Sequence, residues 1–353
     1  MIFLIPKMKF IMNDITRNYY SDPAYNYSLL KAMDSSQFDA LNMLNGDRKK
    51  TTALRKGGII DTLLTGTQEE FFNTYKVFPG KFPADKAKLF CDSYIQLYNN
   101  SNEDLTVGSV NEELIMKARD ESGFDKRLTK AKVIEKYNEF LPYIAASCDP
   151  INSGKELISV TDYNYAKTTA LNLQSDPICG YYLSNSINTQ IFYQVPIFGK
   201  YEHDGYPYEI KGLLDILLVD YQHKIIIPVD VKTYSDNFVA NYYYYKYYLQ
   251  AELYSYLTRN FLLPVEYAEY TMGNFTFIAI NKITQIADRF IHAPNSFELD
   301  TIWDGGNLNK NEYRSFTKGI NNLLKELNWH IKNNRWDHTF EYYMNNYILL
   351  NKG

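Results

Sequence analysis

Two apolar runs joined by a short polar segment constrain this chain more than any other feature. The segment GLLDILLVDYQHKIIIPVDVKTY, residues 212–234, places Asp215 in the first run and Asp230 in the second. The runs are typical of buried strands, and DYQHK between them predicts an antiparallel hairpin centred near Gln222. Aspartate is depleted in strands, and a buried carboxylate is costly unless it is paired or bound to a metal. Both acids therefore need a partner.

The predicted hairpin brings the two acids to one point of the sheet. With its centre near Gln222, Asp215 is expected opposite Val229, which makes Asp230 its diagonal neighbour. Side chains alternate across a strand, so Lys232 shares a face with Asp230. Two carboxylates and one ammonium group are thus expected together.

Two interpretations fit this cluster. Adjacent carboxylates repel each other, and a divalent cation that prefers oxygen ligands, Mg²⁺ or Mn²⁺, would remove the conflict. Lys232 would then orient or activate a water beside the metal. The alternative is a structural salt bridge between Lys232 and one aspartate at a sheet edge, where Pro228 is tolerated. Spacing alone does not separate the two.

A helix is expected directly after the hairpin. The segment DNFVANYYYYKYYLQAELYSYLTRN, residues 236–260, predicts one long helix. Gln250 and Tyr254 are four residues apart and share a helical face, which Tyr243 and Tyr247 extend. An amide and a phenol beside the acid–lysine cluster are suited to hold a phosphate or a base. The alternative is that the aromatic stripe is simply core.

The remaining pattern predicts a mixed α/β protein. Helices are expected over residues 28–44, with a break at 34–36, over 53–66, over most of 85–145 and over 312–334. Strands are expected over residues 189–201, 207–220, 225–233 and 275–281. This order predicts a central mixed sheet flanked by helices.

Composition narrows the class of protein. The 353 residues are 45% hydrophobic and 22% charged, with a net charge of −4, so a polyanion site must be a local concentration of Lys and Arg. The three cysteines and five histidines lack zinc-site spacing, which indicates a reduced protein without structural zinc. The opening MIFLIPKMKFIM is too short for a signal segment or a membrane span. No membrane association and a cytoplasmic location are therefore expected.

The order D…DxK…QxxxY resembles that of the PD-(D/E)XK nucleases. It is carried by GLLDILL, IIIPVDVKT and YYLQAELY, and within the superfamily it is most similar to the RecB-like branch and the RecE (exonuclease VIII) or phage-type exonucleases. The resemblance continues in SDPAYNYSLLKAMDSSQFDAL, TTALRKGGIIDTLLTGTQEEFFNTYKVFP, FTFIAINK and NNRWDHTFEYY. Residues 21–345 are covered, although residues 80–185 match only in helical character.

The resemblance implies a fold and a domain plan. The fold would be a restriction-endonuclease-like core, a central mixed sheet flanked by helices, with additional N-terminal and C-terminal helices. Residues 1–20 would be an extension, 21–345 a single nuclease domain and 346–353 a tail. Within the domain, residues 80–185 would be a helical insertion and 188–300 the catalytic core.

The resemblance also implies an activity and a set of site residues. The activity would be that of a Mg²⁺-dependent deoxyribonuclease, with Mn²⁺ as a substitute, and more readily an exonuclease acting on DNA ends in recombination or repair than an endonuclease. The implied catalytic residues are Asp215, Asp230, Lys232, Gln250 and Tyr254. The implied metal ligands are Asp61, Gln194, Asp215, Asp230 and the Val231 carbonyl. Candidate DNA contacts, or alternatively a solvated basic face, are Arg48, Lys49, Lys50, Arg55 and Lys56.

Two positions depart from the family pattern. Asp61 replaces a metal-binding histidine and makes the site all-oxygen, which favours Mg²⁺. Gln194, with Gln190 as a second alignment, replaces a glutamate and removes one negative charge. An alternative function is therefore that of a catalytically weak or inactive DNA-binding or scaffold protein of this fold. A sequence-specific endonuclease is a third alternative, but the sequence has no separate recognition module.

The expected partners follow from this activity. They are DNA and, as such exonucleases often serve one, a single-strand annealing protein or recombinase. A homo-oligomer is an open alternative. The expected location is the cytoplasm, that of the host if the protein is phage-encoded.

Overall fold

The computed structural model describes residues 8–9, 17–46, 52–101, 111–149, 154–310 and 313–346. The chain divides into two compact units, the first comprising Met1–Gly66 and Thr169–Gly353 and the second Thr67–Thr168. The candidate site residues lie in the first unit. The predicted single domain over 21–345 stays a prediction.

The described residues form eleven strands and fourteen α-helices. The strands are β1 (Met8–Lys9), β2 (Tyr75–Phe78), β3 (Glu156–Ser159), β4 (Thr189–His203), β5 (Tyr206–Asp220), β6 (Ile225–Tyr234), β7 (Thr271–Met272), β8 (Thr276–Asn281), β9 (Ala287–Ile291), β10 (Gly306–Lys310) and β11 (Tyr313–Thr317). The helices are α1 (Tyr27–Ser35), α2 (Gln37–Leu44), α3 (Thr52–Thr65), α4 (Gln68–Thr74), α5 (Asp85–Asn100), α6 (Glu112–Ser122), α7 (Lys130–Cys148), α8 (Val160–Ser175), α9 (Phe238–Tyr244), α10 (Tyr247–Leu257), α11 (Leu263–Glu266), α12 (Ser296–Asp304), α13 (Ile320–Asn333) and α14 (Phe340–Asn345).

A seven-stranded mixed sheet forms the centre of the first unit. Its order is β1-β4-β5-β6-β8-β9, and β7 pairs with β6. β5 pairs antiparallel with both β4 and β6, whereas β8 runs parallel to β6. The predicted central mixed sheet flanked by helices is confirmed at this level.

β6 is an interior strand, because it lies between β5 and β8. The sheet-edge position considered for Pro228 is therefore wrong. β7 pairs with β6 at Ile225 and Ile226, and β8 pairs with it from Val229 onward. Pro228 lies between these two paired segments, where its missing N–H group costs least.

Helix α10 joins the sheet to the surrounding helices. It packs on β4 and β5 and also contacts α1 and α12. Leu249, Leu253 and Leu257 of α10 are buried in the main core with Leu30 of α1 and Leu324 of α13. Since each fully buried leucine contributes about 1.5–3 kcal/mol, this packing fixes α10 over β5, the strand that carries Asp215.

The single long helix expected over residues 236–260 is wrong. α9 ends at Tyr244 and α10 begins at Tyr247, because Lys246 adopts a left-handed backbone with φ of 55°. Such a backbone costs about 1–2 kcal/mol in a non-glycine residue. An ion pair between Lys246 and the buried carboxylate of Asp34 accompanies it. Tyr243 therefore belongs to α9 and does not extend the face of α10 that carries Gln250.

The helical tail expected over residues 312–334 is also wrong in its first part. Residues Tyr313–Thr317 form β11, which pairs with β10, and their exposure alternates as in a strand. The helix α13 begins only at Ile320, after Gly319 with φ of 81°. A side chain at Gly319 would collide with the backbone nitrogen of Gly305, so this turn requires glycine.

The second unit contains the helices predicted over most of residues 85–145. They are α5, α6 and α7, and they bury an aromatic core that includes Phe90, Tyr94 and Tyr137. The Tyr137 hydroxyl donates to the Tyr94 hydroxyl over 3.1 Å. The short strands β2 and β3 pair in parallel within the same unit.

Across the described ranges, no helix combines the length and the hydropathy that crossing a membrane requires.

Gly212 on β5 lies close beneath α10, on the strand that carries Asp215. A methyl group there would lie 3.0 Å from Leu257 Cδ1 and 3.0 Å from Tyr254 Cδ1. Both neighbours are buried, so we expect Gly212→Ala to lower the free energy of unfolding by about 1–3 kcal/mol. Urea denaturation measures this change.

The matched control is Gly57→Ala, within α3. The added methyl would make an ordinary 3.5 Å contact with Thr233 Oγ1. Alanine is the better helix former, so this variant should gain up to about 1 kcal/mol. Equal effects of the two substitutions would contradict the packing argument.

Candidate active site

The two strand acids face each other across the hairpin. Ile216 pairs with Val229, so the register places Asp215 across from Asp230. The predicted position of Asp215 opposite Val229 is therefore wrong by one residue. The reason is that the turn between the strands contains four residues, 221–224, so its centre follows Gln222.

Asp230 is held by two side chains. Its carboxylate is 2% exposed, and its Oδ2 lies 2.5 Å from Lys232 Nζ. The Gln250 amide of α10 donates from Nε2 to Asp230 Oδ1 over 2.6 Å. Within the described part of the chain, Gln250 Oε1 is buried and has no hydrogen-bond partner. The sequence prediction that Asp230, Lys232 and Gln250 come together is confirmed.

Asp215 has a different environment. The backbone N–H of Val231 donates to Asp215 Oδ2 over 2.8 Å. Burial raises the pKa of Asp215 well above its ordinary value, and the neighbouring carboxylates of Asp230 and Asp61 raise it further. The Lys232 ammonium and the Val231 hydrogen bond act in the opposite direction but do not outweigh them. In the metal-free protein, Asp215 thus holds a proton more readily than an ordinary aspartate does.

Lys232 keeps its proton. Burial alone would lower the pKa of its ammonium, but the carboxylates of Asp230 and Asp215 outweigh burial and raise it. The ring centroid of Tyr247 lies 5.2 Å from Lys232 Nζ, a cation–π distance. A permanently charged ammonium can donate hydrogen bonds and neutralise anionic charge, but it cannot serve as a general base.

Gln194 lies across β4 and β5 from Asp215, because its two neighbours pair with the two neighbours of Asp215. Its φ of 51° is left-handed, which costs about 1–3 kcal/mol in a non-glycine residue. Its Nε2 donates to Thr65 Oγ1 over 3.1 Å, and that hydroxyl donates to the carbonyl of Asp61 over 2.9 Å. This chain of hydrogen bonds connects α3 to the strand opposite Asp215. The expected roles of Gln194 and Asp61 as metal ligands stay predictions.

The oxygen ligands available here suit a Mg²⁺ ion that is held by a few protein groups and keeps several water ligands. Among the described residues, no group of three or more His, Cys, Asp or Glu side chains surrounds a position that could hold a metal ion. Mg²⁺ commonly uses one or two carboxylates and keeps several waters. Asp215 and Asp230, with the Val231 carbonyl, would supply oxygen ligands of that kind. Burial first, and then the nearby carboxylates of Asp230 and Asp61, raises the pKa of Asp215, and a bound cation would counter both effects.

Tyr254 lies on the same buried helix as Gln250. Burial raises the pKa of its phenol well above the ordinary value, and Tyr19, Asp230 and Asp215 add to this effect. A hydrogen bond with the backbone of Leu213 opposes the shift. The phenol therefore stays protonated near the two acids.

The candidate DNA contacts are only partly described. Arg48, Lys49 and Lys50 lie outside the described residues. Arg55 and Lys56 are half-buried on α3, the helix that carries Asp61 and packs against β5 and β6. Their predicted role as phosphate contacts stays a prediction.

Sequence reasoning missed Lys31 of α1. Its Nζ lies 4.8 Å from the ring centroid of Tyr245 and 5.8 Å from that of Tyr247. Burial lowers the pKa of Lys31 to about 8, and the nearby Lys232 ammonium contributes to this shift. No motif spacing relates α1 to the hairpin, so only the fold reveals this second lysine.

Comparison with known proteins leaves the family open. No protein-family model matches the chain. No curated protein matches it. Among solved structures, it is similar to one titled "Crystal structure of SSO0001", at 11% sequence identity over 61% of this chain and 80% of that chain, with a TM-score of 0.23. A likeness at this TM-score carries no argument about fold or family.

The raised pKa of Asp215 predicts how stability depends on pH in metal-free buffer. In EDTA, the folded state keeps a proton that the unfolded chain loses above pH ~4, so stability should fall as the pH rises from there to the folded pKa. Asp215→Asn keeps an acceptor for the Val231 N–H and should flatten this decline. Urea denaturation between about pH 4 and pH 8 measures it.

Asp220 at the far end of β5 provides a control of opposite sign. Burial would raise its pKa, but hydrogen bonds from His223 and Tyr181 outweigh burial and lower it. Asp220→Asn should therefore lose stability at neutral pH and lose little below the folded pKa of Asp220. If Asp215→Asn behaved in the same way as Asp220→Asn, the raised pKa of Asp215 would be refuted.

Proposed function

We propose that this protein is a metal-dependent DNA nuclease that hydrolyses phosphodiester bonds, acting as an exonuclease on DNA ends in recombination or repair. One observation carries the proposal. Asp230 is held between Lys232 and Gln250, directly across the hairpin from Asp215. The order of these residues in the chain, D…DxK…QxxxY, gives further support through its resemblance to the PD-(D/E)XK nucleases.

The acids and one carbonyl form the candidate Mg²⁺ ligands. Asp215, Asp230 and the Val231 carbonyl would hold the ion, with Mn²⁺ as a substitute, and Asp61 would add negative charge. When bound, Mg²⁺ polarises a phosphoryl oxygen and makes water more acidic.

The remaining residues act as donors. Lys232 is protonated and fixed by Asp230, so it would orient the attacking water and stabilise negative charge on the phosphoryl oxygens in the transition state. Gln250 holds the Asp230 carboxylate in one orientation, which leaves its second oxygen to Lys232. Tyr254, a protonated phenol beside both acids, would donate a hydrogen bond to the phosphate.

A specific observation favours a second candidate function. Gln194 stands where the family resemblance expects a glutamate, and its amide donates to Thr65. A site with one charge fewer suits a DNA-binding or scaffold protein with weak or no catalysis. Asp61 argues against this alternative, because it supplies a charge where relatives have a neutral histidine.

Incubation with linear and circular duplex DNA separates these functions. We expect linear DNA to be degraded in Mg²⁺ or Mn²⁺, circular DNA to survive, and EDTA to stop the reaction. Cleavage of circular DNA would favour an endonuclease. Binding of DNA without cleavage in any metal would favour the scaffold function.

Lys232→Met tests the role of the ammonium group. We expect cleavage to slow by about 10²–10³-fold, because a donor that stabilises the transition state is lost, while Mn²⁺ affinity persists. Cleavage assays and calorimetric Mn²⁺ titration measure the two quantities. The matched variant Asp230→Asn should lose both. Loss of Mn²⁺ binding in Lys232→Met would mean that the lysine holds the site in shape.

Gln194→Glu tests whether the two departures from the family pattern compensate. If Asp61 already supplies the missing charge, the added carboxylate should tighten Mg²⁺ binding without raising the rate, since ground-state binding does not lower the barrier. The double variant Asp61→His with Gln194→Glu keeps the number of carboxylates unchanged and should therefore also be active. An inert wild type that Gln194→Glu activates would refute compensation.

A further inference from the structure

Two adjacent tyrosines are exposed at the break between α9 and α10. Tyr244 is 78% exposed and Tyr245 is 40% exposed, and their ring centroids lie 4.9 Å apart in an edge-to-face arrangement. The flanking rings of Tyr243 and Tyr248 are buried in the core. The break therefore turns two of its rings outward, where a partner can reach them.

The backbone beneath these rings is held by two residues of α1. The Tyr27 hydroxyl of α1 donates to the Tyr245 carbonyl over 2.9 Å. The next residue, Lys246, is ion-paired to the buried Asp34 of α1 and has a left-handed backbone. Strained backbone persists where the surroundings hold it, and such positions cluster at functional sites. The exposed rings are thus presented in a fixed place, which lowers the entropy that a partner must lose.

The tyrosine row, which we define as Tyr244, Tyr245 and Tyr247, runs from the surface to the candidate site. Tyr247 lies 5.7 Å from Tyr245 with an interplanar angle of 29°. On its inner side, Tyr247 lies 5.2 Å from Nζ of Lys232, the lysine that contacts Asp230. The aromatic faces therefore continue up to the proposed position of hydrolysis.

Positive charge accompanies the tyrosine row. Lys31 lies over Tyr245 and Tyr247, and Lys232 lies at the inner end. Lys31 forms no ion pair with any carboxylate of the described ranges, and burial first, then the nearby Lys232 ammonium, lowers its pKa. The two ammonium groups could contact the phosphates of a nucleic acid strand, and the neighbouring rings could stack on its bases.

We propose that the tyrosine row binds single-stranded DNA, with unpaired bases stacked on Tyr245 and Tyr244 and the backbone phosphates beside Lys31. The proposal rests on the proposed nuclease function and specifies its substrate as an unpaired strand or a frayed end. Base stacking on tyrosine requires free base faces, which a closed duplex does not offer. Stacking of this kind is also tolerant of sequence, as degradation from an end requires.

The test uses the full chain in EDTA, so that binding is measured without cleavage. The probe is a fluorescently labelled single-stranded DNA oligonucleotide, compared with an oligonucleotide of the same length made entirely of abasic nucleotides. Tyr244→Ala should bind the normal strand about tenfold more weakly and the abasic strand with unchanged affinity. Tyr244→Trp should bind the normal strand at least as tightly as wild type.

A matched control is Tyr206→Ala, which removes an exposed tyrosine that lies outside the tyrosine row, at the first residue of β5. Its affinity for single strands should equal that of wild type. A plot of log affinity against log salt concentration has a slope that reflects the number of phosphate contacts. Lys31→Met should reduce this slope by about the value for one contact, whereas Tyr244→Ala should leave it unchanged.

The outcomes separate this proposal from the nuclease function. Unchanged single-strand affinity in both Tyr244→Ala and Tyr245→Ala, or equal losses on normal and abasic strands, would overturn the stacking proposal. So would a wild type that binds only duplex DNA. In each case the cleavage assay with Mg²⁺ decides independently whether the protein is a nuclease.

Discussion

The site depends on one buried carboxylate and the two groups that hold it. Asp230 lies in an interior strand, where an unpaired charge would be expelled or neutralised. Lys232 supplies the opposite charge and Gln250 supplies a neutral donor from α10. Removing one partner of a buried ion pair commonly costs about 3–5 kcal/mol, so Lys232 and Asp230 stabilise each other within β6. The hydrogen bond from Gln250 is the contact that ties this strand to α10.

Strained backbone occurs at two residues of the elements that carry the site. Gln194 is left-handed across from Asp215, and Lys246 is left-handed at the start of α10. Each is held by polar contacts, Gln194 through Thr65 and Lys246 through Asp34. Neither residue type favours such a backbone, so the cost is met by the surrounding fold. Both strained residues thus lie next to groups of the two proposals, Gln194 opposite Asp215 and Lys246 beside Tyr245.

The sequence predicted those features that depend on neighbouring residues in the chain, and it missed those that depend on tertiary contacts. Strand alternation and the polar turn gave β5 and β6, and with them the meeting of Asp215, Asp230 and Lys232, although a four-residue turn moved the register by one. The break at Lys246 could not be predicted, because a lysine gives no signal for a left-handed backbone and its partner Asp34 is distant in sequence. Lys31 was missed for the same reason, since only tertiary packing brings α1 to the hairpin.

The distribution of charge explains why the site suits a cation. The carboxylates of Asp230 and Asp61 both act on Asp215, while Lys232 is ion-paired to Asp230. Burial raises the pKa of Asp215, the repulsion from these carboxylates raises it further, and in the metal-free protein a proton on Asp215 relieves both costs. A divalent cation that binds Asp215 must displace this proton, so its affinity should rise with pH until Asp215 is fully ionised. The ionised Asp215 carboxylate, which destabilises the metal-free protein, would thereby contribute to metal affinity.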